Sequence, residues 1–69
     1  MAPVVVHQPL LTGGRRVSVR GQSVAVAHSL ADVLAVVRRI GILLEGEEAG
    51  GTALIEWRGG GVGVWHLAQ

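Results

Sequence analysis

The residues best equipped for chemistry gather in one stretch, Glu56–His66, which reads EWRGGGVGVWH. It holds an acid, an arginine, a histidine, both tryptophans and four of the chain's eleven glycines. Glycines beside charged groups first suggest a phosphate cradle. A dinucleotide fingerprint needs G-x-G-x-x-G between a strand and a helix. Here Gly61-Val62-Gly63-Val64-Trp65-His66 puts histidine in the last glycine position, and no helical pattern follows. A P-loop needs G-K-[ST], and the chain has no lysine. With no helix N-terminus to hold an anion, a β-hairpin turn is the better reading.

That hairpin joins strands over Thr52–Arg58 and Val62–Ala68, and two registers compete. A two-residue loop at Gly59-Gly60 puts Ala53, Ile55, Trp57, Val62, Val64 and His66 on one face. A three-residue loop over Gly59–Gly61 pairs Trp57 with Gly63, Ile55 with Trp65, and Ala53 with Leu67. The second is favoured, because it gathers both tryptophans on one face and lets Gly63 make room for the Trp57 ring. It also leaves Glu56 beside His66, the only plausible acid–base couple. General acid–base work needs a buried, tuned site with a nucleophile in reach. The candidate hydroxyls are Ser18, Ser23, Ser29 and Thr52, and Ser29 is better explained as a helix cap. A solvated cross-strand pair is the favoured reading of Glu56 and His66.

His7, His28 and His66 lie on three separate elements with no metal-ligand spacing, so rim histidines are favoured over a metal site. The arginines say more. Arg16 and Arg20 share a polar strand face with Ser18 and Ser23, Arg15 lies at its start, and Arg58 sits at the second turn. Arginine, serine and a nearby tryptophan suit phosphate contact and base stacking. Arginine and tryptophan also favour protein interfaces. Five acidic residues and a net charge of +1 weigh toward the protein partner.

The elements that must position these groups follow from periodicity. Val4–Gln8 suits a short strand, placed at a sheet edge because Pro9 lacks an N–H. Residues 15–28 alternate strictly around Gly21-Gln22, which suits a type II′ turn. That register pairs Arg20 with Ser23, Val19 with Val24 and Val17 with Val26, and puts all four valines on one side. Over 29–41 the sequence predicts a helix capped by Ser29, with Asp32 completing a capping box. Leu30, Val33, Leu34, Val37 and Ile40 make its buried face, and Gly41 ends it. Residues 43–51, LLEGEEAGG, read as a solvated loop. The expected fold is α+β: a small antiparallel sheet of four to five strands, hairpin–helix–hairpin with the N-terminal edge strand as the fifth, packed on one helix.

Composition bounds the rest. Sixty-nine residues make one domain, 1–69, with a thin core. Without cysteine there are no disulfides, thiolate zinc sites or cysteine nucleophiles, and self-association becomes the natural stabiliser. No segment suits a transmembrane span or a signal peptide, so the expected location is cytoplasmic and no membrane partner is expected. All six basic residues are arginine, in a chain rich in Ala, Val and Gly, which suggests a genome of high G+C content.

The segments TGGRRVSVRG at 12–21, HSLADV at 28–33, RRIG at 38–41 and LIEWRGGG at 54–61, followed by Val64-Trp65, resemble a group of small uncharacterised actinobacterial proteins. The likeness runs along most of the chain. It implies a cytoplasmic bacterial protein and brings no activity, cofactor or partner with it.

The sequence thus predicts a small non-enzymatic accessory or regulatory module acting through protein–protein contact. It is expected to be a homo-oligomer, a dimer being favoured, with a further protein partner. The alternative is a nucleic-acid-binding regulator using the arginine-bearing hairpin face. Contact residues under either reading are Arg15, Arg16, Arg20, Arg58 and Trp65. No catalytic, metal or cofactor site is expected.

Overall fold

In the computed structural model, which describes residues 2–44 and 49–66, the elements run β1 (Val4–Pro9), β2 (Arg15–Val19), β3 (Gln22–Ala27), α1 (Leu30–Arg39) and β4 (Ile55–Trp57). The fold is α+β, as the patterning implies; among the described residues the helix α1 accompanies a four-stranded sheet in the order β3-β2-β1-β4. The sheet is mixed rather than antiparallel. β1 pairs antiparallel with β2 but parallel with β4, through Val4↔Ile55, Val5↔Glu56 and Val6↔Trp57.

β1 is therefore a central strand, not an edge. Its run Val4–Val6 is continuously apolar, and Val4 and Val6 on the inner face are fully buried. Pro9 is tolerated because it ends the strand, beyond a register shift that follows Val6. The chain then turns through Leu10–Gly14, where Leu10 N–H donates to the Gly14 carbonyl at 2.9 Å, and returns as β2.

The β2–β3 turn lies one residue earlier than the alternation suggests. Arg20 and Gly21, at φ 52° and 86°, are its central residues, and Val19 pairs with Gln22. Positive φ at both positions belongs to the type I′ geometry whose twist matches the flanking strands. The slip, with a bulge between Val17 and Ser18, pairs Val17 with Ala25 and Arg15 with Ala27. Val17 and Val19 stay inward, but Val24 and Val26 turn outward, 51% and 47% exposed. The four valines therefore do not share a face. Alanine is what the inner side of β3 requires, because α1 packs there: Ala27 is fully buried and Ala25 packs against the core.

The helix forms from local signals. The Ser29 side chain accepts from Asp32 N–H, and an Asp32 carboxylate oxygen accepts from His28 N–H at 2.9 Å, one residue before the position of an ideal capping box. At the other end, Ile42 N–H reaches the Val37 carbonyl and Gly41 N–H the Arg38 carbonyl. That is the Schellman pairing, with Gly41 at φ 89°. Val33, Val36 and Val37 are buried, Leu30 and Leu34 pack against the core, and Ile40 is 42% exposed. The buried stripe thus includes Val36 and leaves out Ile40.

The second hairpin is not formed over the described residues. Only Ile55–Trp57 is strand, and Val62–His66 has no strand conformation. Leu67 and Ala68, assigned to the return strand, lie outside the described residues, as do positions 45–48 of the acidic stretch. Within that stretch Ala49 is fully buried in the core rather than solvated.

Candidate functional site

Arg15 shares strand parity with Val17 and Val19 and so points to the inner side of the sheet. It is fully buried. A buried guanidinium is tolerable only if its donors are matched. Its Nε donates to the His7 carbonyl at 2.8 Å, Nη1 to the carbonyls of Gly61 and Val64 at 2.9 Å each, and Nη2 to those of Arg58 and Gly60 at 2.7 and 2.9 Å. Five donors thus meet five backbone carbonyls. Among the described residues no carboxylate faces it; carbonyl dipoles and aromatic faces stabilise the charge instead. Its Cζ lies 5.3 Å from the Trp57 ring centroid and 5.7 Å from that of Trp65. Burial pushes its pKa below the ordinary arginine value.

The tryptophans complete this cluster. They meet edge to face, with centroids 6.2 Å apart, a favourable aromatic geometry. Trp57 Nε1 donates to the Ala49 carbonyl at 2.9 Å. Trp65 is half-buried against the core, and its carbonyl accepts from Gly14 N–H at 3.0 Å. Gly59, at φ 77°, lies where an added Cβ would come within 2.6 Å of Gln8 Cβ. Glycine there lets the loop press onto the end of β1.

Five candidate contact residues therefore separate. Arg15 is withdrawn from the surface with every donor engaged. Trp65 packs inward beside it. Arg20 is exposed in the β2–β3 turn, at positive φ. Arg16 and Arg58 remain on the outer sheet face, both exposed. Arg58 is ion-paired with Glu56 through Nε and Oε2. That pairing gives Glu56 an arginine partner rather than His66, whose ring instead lies near Gly13. The expected Glu56–His66 couple rested on the hairpin register, and it goes with the hairpin.

The outer face holds a different histidine. His7 Nε2 and Ser18 Oγ share a 2.8 Å hydrogen bond. A histidine on a serine hydroxyl is the geometry of an activated nucleophile. Ser18, however, is only 8% exposed, so its hydroxyl is largely withdrawn from solvent. The pair braces β1 against β2. Next to it, His7, Gln8, Leu10, Arg16 and Arg58 line a concavity of about 390 Å³. Among the described residues no group of three or more His, Cys, Asp or Glu is placed to hold a metal ion, and no helix is long and apolar enough to cross a membrane.

The sequence offered Arg15 as a contact residue at the start of the hairpin, and the fold buries it. The signal that places it was present: an arginine two residues before Val17 on an alternating strand, in a chain with a glycine-rich run. The His7–Ser18 pair has no signal of its own, because it depends on β1 lying beside β2. Comparison with protein-family models, with curated proteins and with solved structures gives no match to this chain.

Proposed function

We propose that this chain is a small non-enzymatic contact module whose copies join along the open edge of β3. The observation behind this reading is the character of that strand. Its sequence, Gln-Ser-Val-Ala-Val-Ala, carries no charge and no proline. Among the described residues no strand lies along its outer edge. Monomeric proteins usually protect such edges with lysine, proline or a covering segment. Here the strand carries no such protection, and its outer face bears Val24 and Val26, each about half exposed. A symmetric β3–β3 pairing would satisfy the unpaired backbone groups and set these valines beside those of the second copy.

Sedimentation equilibrium across the micromolar range tests this. A dimer is expected for the parent chain, and a monomer for Val26→Lys, which puts a charge into the pairing edge without touching the core. A parent chain that stays monomeric at high micromolar concentration contradicts the proposal.

The alternative, a nucleic-acid contact, draws its support from Arg16 and Arg58 on one exposed face. It is weakened by the loss of Arg15 to the interior and by the small net charge.

A further inference from the structure

We infer that the outer-face concavity between β1, β2 and the end of β4 is a binding site for a single phosphate group. The inference is independent of self-association, because β3 contributes no lining residue.

Two guanidiniums from different parts of the chain border the hollow, Arg16 from β2 and Arg58 just after β4. Arginine forks match the oxygens of a phosphate and hold it by paired, charge-assisted hydrogen bonds. Among the described residues Arg16 has no ion-pair or side-chain hydrogen-bond partner, so its donors face solvent. Arg58 is held by Glu56 through Nε alone, which orients the guanidinium and leaves its two Nη groups for a second oxyanion. His7 and Gln8 line the same hollow. The His7 ring is fixed by its bond to Ser18, leaving Nδ1 as its remaining polar atom.

The frame is rigid. Gly59 leaves no room for a Cβ against Gln8, and the Arg58 N–H donates to the Val6 carbonyl at 2.9 Å. Leu10 supplies an apolar wall. A volume of about 390 Å³ suits a small-molecule site, typically about 300–1,000 Å³. One phosphate with a small organic body fits this arrangement. A nucleic-acid track needs basic side chains repeated along a path, and Arg38 and Arg39 sit apart, on the last turn of the helix.

The phosphate has two sources, a free small molecule or a nucleic acid, and one titration separates them. Two-dimensional ¹H–¹⁵N NMR at constant ionic strength would follow the amides on adding inorganic phosphate, a pentose phosphate, or a short single-stranded oligonucleotide. Saturable shifts centred on His7, Gln8, Arg16 and Arg58 are expected with the first two. Arg16→Gln and Arg58→Gln should each weaken binding about tenfold, the loss of a charge-assisted contact. Glu56→Gln should tighten it, because the competing carboxylate is gone. Arg39→Gln removes the same charge elsewhere and should change nothing. Spectral dispersion in each variant checks that the fold persists. The inference is overturned if phosphate gives no saturable shifts, if Arg39→Gln weakens binding as much as Arg16→Gln, or if only the oligonucleotide binds.

Discussion

The three strands β1–β3 and the C-terminal segment 58–66 are held in place by different means. The strands carry their own ladder of backbone hydrogen bonds, with valines and alanines on the inner side. The segment after β4 has few backbone bonds, and four of its carbonyls, those of Arg58, Gly60, Gly61 and Val64, accept from one side chain, Arg15. In the first region the backbone orders itself. In the second, a buried cation from β2 orders a glycine-rich loop that has no regular structure of its own. Glycines suit that task because they leave the carbonyls free to converge on a point.

If this contrast is right, the largest effect belongs to Arg15→Lys. Lysine keeps the charge but offers three donors for five acceptors, so at least two buried carbonyls lose their partner, at about 1–3 kcal/mol each. A loss of about 3 kcal/mol or more is a large share of the total for a domain this small. Urea denaturation followed by tryptophan emission should show it, with a red-shifted spectrum even before global unfolding. A near-parental midpoint would mean that the loop does not depend on the fork.

A smaller effect is expected at the seam between the two regions. Gly59→Ala places a Cβ against Gln8 at a positive-φ position and should cost about 1–3 kcal/mol. The tryptophan environment should change while the helical circular dichroism is retained. The smallest effect lies wholly in the first part of the chain. Ser29→Ala removes the helix cap and should cost about 1 kcal/mol. It should lower the melting temperature without altering tryptophan emission; an altered emission would show that the two regions are not separable.

The same contrast explains what the sequence disclosed. The helix was legible from its cap at Ser29 to Gly41, because caps, dipole-matched charges and 3.6-residue spacing are local. The β2–β3 hairpin was legible as a hairpin but not in register. Type II′ at Gly21-Gln22 and type I′ at Arg20-Gly21 are both good local turns, and the choice is made by the helix, which needs Ala25 and Ala27 beneath it. The parallel pairing of β1 with β4 joins segments from opposite ends of the chain, so no local signal announces it. The stretch Glu56–His66 misled most. Glycines there read as a turn between strands, whereas Gly60 and Gly61 supply carbonyls to an arginine 45 and 46 residues away.

The central claim is that the Arg15 guanidinium is a buried clamp. NMR of the arginine side chains at low temperature tests it most directly, because the chain has only six arginines and no lysine. Arg15 should give a slowly exchanging Nε–H and separately resolved Nη–H signals, with ring-current shifts from Trp57 and Trp65, while the exposed Arg16, Arg20, Arg38, Arg39 and Arg58 exchange rapidly. Six arginines with equally fast exchange and no ring-current shift would contradict the account.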